Sequence, residues 1–334
     1  MIISASRRTD IPAFYSDWFF NRIKEGRVMV RNPKLQNTIY EYSITPDVID
    51  GIVFWTKNPK PMITEEKLGL LDEYAYPYYF QFTVNPYRTD LERNVPQKSE
   101  IIKTFKALSE RVGRERVLWR YDPVLISEKY GYTIEYHKKW FDELANILCD
   151  YTEQCTFSFV DMYNYVSKQP TSHFIRGLHE KEMLKLAESF ATSAQKHGLT
   201  LRTCAESIDL QQFGIDHGRC VDADLLSRIS GVDLSVNKDP SQRKECGCVK
   251  SVDIGAYNTC HNGCIYCYAT PSGISTLDKS LNNPHSPLLL DTVKFTDRVV
   301  PVKSESLVKS SFKKIPTFGD ENGETPDFSQ LSLF

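Results

Sequence analysis

Net charge is nearly absent from this chain: 41 Lys plus Arg stand against 43 Asp plus Glu in 334 residues, a formal balance of −2 at pH 7. Such a protein has no global field to draw in polyanions, so a nucleic-acid contact must rest on a local patch. Also missing is any run approaching the ~18 apolar residues of a membrane span, and the opening MIISASRRTD holds no long apolar stretch. A cytoplasmic protein without membrane contact is the expectation. No repeat of fixed length is found. With 41% hydrophobic and 25% charged residues, the body also lacks the composition of a disordered chain. What is plentiful is cysteine. There are nine, an odd number, and five fall within the 22 residues from Cys246 to Cys267, CGCVKSVDIGAYNTCHNGCIYC. CxC and CxxxCxxC spacings in a chain of this size suit metal or cluster ligation better than a disulfide framework.

Seven short β-rich runs recur at 2–6, 51–55, 78–84, 116–121, 155–160, 199–204 and 251–257, most followed by a helical pattern. That alternation predicts an α/β fold with a parallel sheet, as a partial or complete (β/α) barrel. The clearest helix is 179–197, where Met183, Leu186, Ala187, Phe190 and Ala194 repeat at helical spacing and Gly198 supplies the stop. Further helices are predicted at 12–25, 101–112 and 135–149, and VMVRNP with TIYEYSIT reads as a hairpin. Residues 1–272 form the predicted barrel unit, and 273–334 a polar tail that wraps it and then becomes a flexible arm. Strand after strand ends in polar residues, which a barrel gathers at one mouth. Polar strand ends also arise because such loops are wet and cap helices. Arg120 inside an apolar strand and Lys57 after VFWT stand out, because a cation at a buried strand end needs an anionic partner. Both are candidate cofactor-binding residues.

Cys260, Cys264 and Cys267 lie on one compact loop directly after a predicted strand. Three thiolates on such a loop can each take one iron of a cubane cluster and leave the fourth iron open. The alternative is a zinc knuckle completed by His261 or a distant ligand, since structural zinc is four-coordinate. Four more cysteines precede the loop: Cys204, Cys220, Cys246 and Cys248. Four thiolates complete a second iron-sulfur cluster or an all-cysteine zinc site, with unligated cysteines as the remaining reading. Cys149 and Cys155 read as small buried hydrophobes. Arg202, Cys204 and Glu206 alternate, so an extended segment would turn all three to one side.

The TCHNGCIYCYA loop resembles the signature of radical S-adenosylmethionine (SAM) enzymes, including the aromatic Tyr266 before the third cysteine. The resemblance implies a 4Fe-4S cluster whose open iron binds SAM, reductive cleavage to a 5′-deoxyadenosyl radical, and an electron donor such as flavodoxin or ferredoxin. It also implies that Tyr266 sits beside the adenine. In that superfamily the loop comes early in the barrel, whereas here it is late, which implies a circular permutation. VFWTKNP, FQFTVNP and VLWRYDPVLI resemble successive strands of the spore photoproduct lyase branch; carried over, Lys57 meets the SAM carboxylate and Asp122 with Pro123 closes the following loop. The superfamily's Gly-Gly-Glu segment for the SAM amino group is not visible. SASRRTDIP, TKNP and the late cysteine loop together resemble a bacterial family known only as a domain of unknown function.

QLSLF at the end of the sequence matches the short peptide with which bacterial DNA polymerases and repair proteins bind the sliding clamp. Gln330 would be its polar anchor, while Leu331, Leu333 and Phe334 would fill apolar pockets. A terminus docked on the barrel is the alternative. The expected function is therefore radical SAM chemistry, directed at DNA in repair or modification. The alternatives are the same chemistry on a small molecule, RNA or peptide, and a zinc-stabilised DNA- or clamp-binding protein without catalysis.

Overall fold

The computed structural model describes residues 1–162, 172–270 and 282–309. Six strands carry its main sheet: β1 (Ile2–Ala5), β4 (Gly51–Thr56), β5 (Tyr78–Thr83), β6 (Val117–Val124), β7 (Gln154–Phe159) and β8 (Thr200–Thr203). The two-residue strands β9 (Asp216–His217) and β10 (Val252–Asp253) extend it to the order β10-β1-β4-β5-β6-β7-β8-β9. Every pairing is parallel. The strands are near-continuous apolar runs because both faces of the sheet are covered. In β4, for example, every residue but Trp55 is buried. All seven predicted runs contribute to this sheet, so the α/β expectation holds, as an eight-stranded parallel sheet with β10 and β9 at its ends.

The predicted strand at 251–257 shortens to two residues because Asp253 competes with the ladder. Its carboxylate accepts from Ser4 Oγ, Ser6 Oγ and the backbone N–H groups of Arg7 and Gly255, which turns the chain away. Among the described residues seven helices accompany the strands: α1 (Ile11–Phe14), α2 (Ser16–Glu25), α3 (Glu65–Glu73), α4 (Lys98–Val112), α5 (Ile134–Leu148), α6 (Glu180–Lys196) and α7 (Ala223–Ser230). The helix predicted over 12–25 is interrupted at Tyr15. On α6 the predicted face is the buried one, through Leu186, Ala187, Phe190 and Ala194. Phe190 stacks on Phe141 at 4.0 Å, and Phe141 on Trp119 at 5.1 Å, joining α6 and α5 to β6. Each such buried aromatic removes enough apolar surface from water to contribute about 1.5–3 kcal/mol.

The predicted hairpin exists as β2 (Arg27–Arg31) and β3 (Thr38–Ser43), and β11 (Arg298–Val302) adds to β3 in parallel. The sequence shows no periodic signal for β11. The segment leading to it is held on α2, where Trp18 Nε1 donates to Ser286 O at 2.8 Å and Asn21 Nδ2 to Pro284 O at 3.0 Å. No helix among the described residues is long and apolar enough to cross a membrane.

Candidate metal and cofactor site

The C-terminal ends of β1, β4, β5, β6, β7 and β8 open on one cavity of about 550 Å³. All seven cysteines named as candidate ligands line it: Cys260, Cys264 and Cys267 on one wall, with Cys204, Cys220, Cys246 and Cys248. Cys155 is instead buried in β7, and Cys149 caps the end of α5.

The loop that follows β10 is tied down from three sides. Asp10 accepts from Asn262 Nδ2 at 3.0 Å and also from Lys57 N at 2.8 Å, linking the loop to the ends of β1 and β4. Asn94 N donates to Asn262 O and Ile265 N to Leu91 O, both at 3.0 Å. Gly263 has φ +65°, the left-handed turn that places Cys264 inward. His261 packs edge-on against Phe14 at 5.3 Å and lies 3.2 Å from Tyr15 Oη, away from the cavity lining. It is therefore not drawn in with the three thiols, which leaves the zinc-knuckle alternative to a distant fourth ligand. Burial pushes the Cys260 thiol up to about 12 and raises those of Cys264 and Cys267. Thiolates at this wall need a cation.

Lys57 and Tyr266 both reach this wall, and both are bound to a residue that no sequence pattern singles out. Glu92, 2% exposed, accepts from Lys57 Nζ at 2.8 Å, from Asn85 Nδ2 at 3.3 Å, from Lys98 Nζ and from the Tyr266 hydroxyl. Burial alone would raise the Glu92 carboxyl, but Lys57 and Lys98 more than offset it and hold it at about 2. Lys57 Nζ also lies 5.7 Å from the Tyr266 ring centroid. The predicted lysine is thus a buried, paired cation beside the loop.

Arg120 and Asp122 face the other cysteines. Arg120 Nε donates to Asp122 Oδ2 at 3.0 Å, and Nη1 donates to Cys220 Sγ at 2.9 Å and Gln81 Oε1 at 3.2 Å. The anionic partner expected for this buried cation is present, and a thiol shares it. Burial pushes the Asp122 carboxyl up, yet Arg120 and the Ser158 hydroxyl hold it below the usual range. Asp122 and Pro123 lie inside β6 rather than in a loop after it, and the backbone of Asp122 is tied to the end of β5: Asp122 N donates to Asn85 Oδ1, and Asn85 Nδ2 donates to Asp122 O, both at 2.8 Å. The four thiols run in contact from Cys204 through Cys220 and Cys248 to Cys246, with Cys204 Sγ 3.2 Å from Cys220 Sγ. They are adjacent rather than convergent. Among the described residues no three or more His, Cys, Asp or Glu side chains close around a single ion.

Other predicted positions separate. Cys204 and Glu206 line the cavity but Arg202 does not: it lies within β8, which ends at Thr203, whereas the other two follow the strand end. Burial pushes Glu206 up to about 8, and it accepts from Phe159 N at 2.8 Å. Tyr121, at the end of a predicted strand, is buried against His137. Gln330, Leu331, Leu333 and Phe334 lie outside the described residues. Arg7, which the sequence offers only as one of several polar strand ends, lines the cavity between the two cysteine sets.

By donor chemistry the two sets fit thiolate-bound centres: three thiols on one loop, four in contact, and buried cations beside each. Residues 2–269 match the family described as a domain of unknown function, DUF1848, and the chain belongs to that family. Nothing matches among curated proteins. Among solved structures, similarity extends to the tandem catalytic modules of the pneumococcal exo-β-D-N-acetylglucosaminidase StrH, at 11% identity over 73% of this chain and 68% of that one, with a TM-score of 0.25. A multifunctional pyruvate carboxylase from Rhizobium etli is similar at 10% identity over 86% of this chain and 26% of that one, with a TM-score of 0.28. At those scores neither likeness bears on fold or function.

Proposed function

We propose that this protein is a radical SAM enzyme built on a circularly permuted β/α barrel. The observation that carries the proposal is the place of β10. It comes late in the sequence but stands first in the spatial series, beside β1, and it feeds the CxxxCxxC loop into the cavity at the strand ends. A strand that opens the series and delivers three thiols to the mouth is what a permuted version of that architecture requires.

Cys260, Cys264 and Cys267 would hold a 4Fe-4S cluster, which when bound supplies the electron that cleaves SAM reductively. The chain's own residues then have separable tasks. Lys57 offers positive charge to the SAM carboxylate, with Glu92 fixing its position and keeping it protonated in a dry wall. Tyr266 presents its ring to the adenine while its hydroxyl is anchored on Glu92. Asp10 sets the orientation of Asn262 and hence of the loop. Cys204, Cys220, Cys246 and Cys248 would hold a second centre on the same chamber, and a flavodoxin or ferredoxin would supply electrons. DNA is the substrate class we favour, on the strength of the spore photoproduct lyase-like strands and the terminal clamp-type peptide.

Anaerobic reconstitution followed by reduction with SAM tests the proposal. It predicts 5′-deoxyadenosine from the intact chain and none from Cys264→Ala. Stoichiometric zinc with no SAM cleavage would overturn it in favour of a metal-stabilised binding protein. Removal of Gln330 to Phe334 should abolish capture by a bacterial sliding clamp while leaving SAM cleavage unchanged, and retained capture would reject the peptide's role.

A further inference from the structure

We infer that Arg7 and Arg120 form a guanidinium pair that favours the reduced state of a redox-active centre in the four-cysteine set. This rests on the reading that Cys204, Cys220, Cys246 and Cys248 carry an iron-sulfur cluster. The two guanidinium groups flank one ring: Arg7 Cζ is 5.3 Å and Arg120 Cζ 5.2 Å from the Trp55 centroid. Trp55 is itself fixed by a 3.1 Å bond from Nε1 to Ser4 Oγ. Arg120 is 4% exposed and spends one N–H on Cys220 Sγ at 2.9 Å. Arg7 lies within electrostatic reach of Cys248 and Cys220, and its Nη2 is buried with no acceptor among the described residues.

Arg120 and Arg8 are paired with Asp122 and Asp253, and Arg7 has Asp253 and Asp239 within electrostatic reach, yet Arg7 Nη2 keeps a buried donor with no acceptor among the described residues. A thiolate-ligated cluster is an anion that would answer it, and adding an electron increases its negative charge. Fixed positive charge in a poorly solvated site stabilises the reduced state, and an N–H donated to a ligand sulfur withdraws charge from it; both effects raise the reduction potential. The step is the uptake of one electron from a flavodoxin- or ferredoxin-class donor, with no bond made or broken. A zinc site would take up no electron and would have no potential to tune.

The test uses the full chain, reconstituted anaerobically. The electron paramagnetic resonance signal of the reduced protein that does not respond to SAM is followed through a potentiometric titration. Arg7→Gln and Arg120→Gln should each move its midpoint to lower potential at unchanged iron content, the double variant should move it further, and Arg120→Lys should recover part of the shift. Arg7→Gln leaves the Arg120–Asp122 pair intact, so it decides the question even where Arg120→Gln fails to fold. An unmoved midpoint at full iron content overturns the inference and leaves the cluster reading standing. Zinc, or no metal, in the four-cysteine set overturns both.

Discussion

The two cysteine-bearing regions of the cavity are each backed by a buried cation, yet they use it differently. Beside Cys260, Cys264 and Cys267, the Lys57 amine is taken up by Glu92, which Lys98 and Tyr266 also bind. Beside the other four, Arg120 donates directly to Cys220 Sγ while its other edge rests on Asp122. The first arrangement keeps positive charge near the loop without a hydrogen bond from Lys57 to a loop thiol. The second spends a donor on a sulfur. On the proposed reading that contrast suits an open centre next to a closed one: the first would have to leave room for an incoming ligand, while the second would be filled by its own four thiols.

The largest effect expected from disturbing this arrangement is at Glu92. Glu92→Ala leaves Lys57, 14% exposed, without its counter-charge, while Lys98 at 28% can regain water, and should cost about 3 kcal/mol in urea unfolding, the low end of the range for breaking a buried pair. A loss under about 1 kcal/mol would mean that water reaches these lysines.

His137 supplies a comparison that involves neither wall. Burial pushes its imidazole down to about 4 from 6.5, against the opposing bond to Leu125 O, so the folded state holds it neutral. Below pH 6.5 the unfolded chain takes up a proton that the folded chain refuses, so stability should fall as pH drops through 6.5 towards 4, by about 3 kcal/mol in total. His137→Gln should flatten that slope in unfolding curves measured across the range. An unchanged slope would assign it to other groups.

Arg120→Met should be milder than Glu92→Ala. Asp122 keeps its Ser158 partner and its side chain is 21% exposed, so it can regain water once the pair is broken. A loss of about 1.5–3 kcal/mol is expected, the range for hydrogen bonds to charged groups. Iron should be lost from the four-cysteine set in preference to the loop, read as iron per chain against SAM-responsive signal. Equal loss from both would erase the distinction between the two regions. Tyr266→Phe is the smallest change: it removes one of four donors to Glu92 while leaving the ring, for about 1 kcal/mol of stability. SAM cleavage should persist in that variant, and its abolition would assign the hydroxyl a role beyond anchoring.

Much of this organisation is legible in the residues. Apolar runs bounded by polar ends mark the strands, and the spacing of Met183, Leu186, Phe190 and Ala194 marks α6, because burial on one face imposes those periods. The cysteine spacings single out five of the seven cysteines that line the cavity, and Cys204 and Cys220 complete the set. What the sequence hides is long-range. Glu92 sits 35 positions from Lys57, and Cys220 100 positions from Arg120, so only the fold pairs them. β9 is two residues, too short for periodicity, β10 is shorter than the run that predicts it, and β11 depends on β3 for its register. Simple alternation puts Arg202 beside Cys204, but β8 ends at Thr203, between them.

The most direct measurement of the central claim is the electron paramagnetic resonance spectrum of anaerobically reconstituted, reduced protein with and without SAM. The account predicts a four-iron cluster signal that changes when SAM is added and disappears in Cys264→Ala. A spectrum indifferent to SAM, from protein whose Cys260, Cys264 and Cys267 hold zinc or no metal, would contradict it.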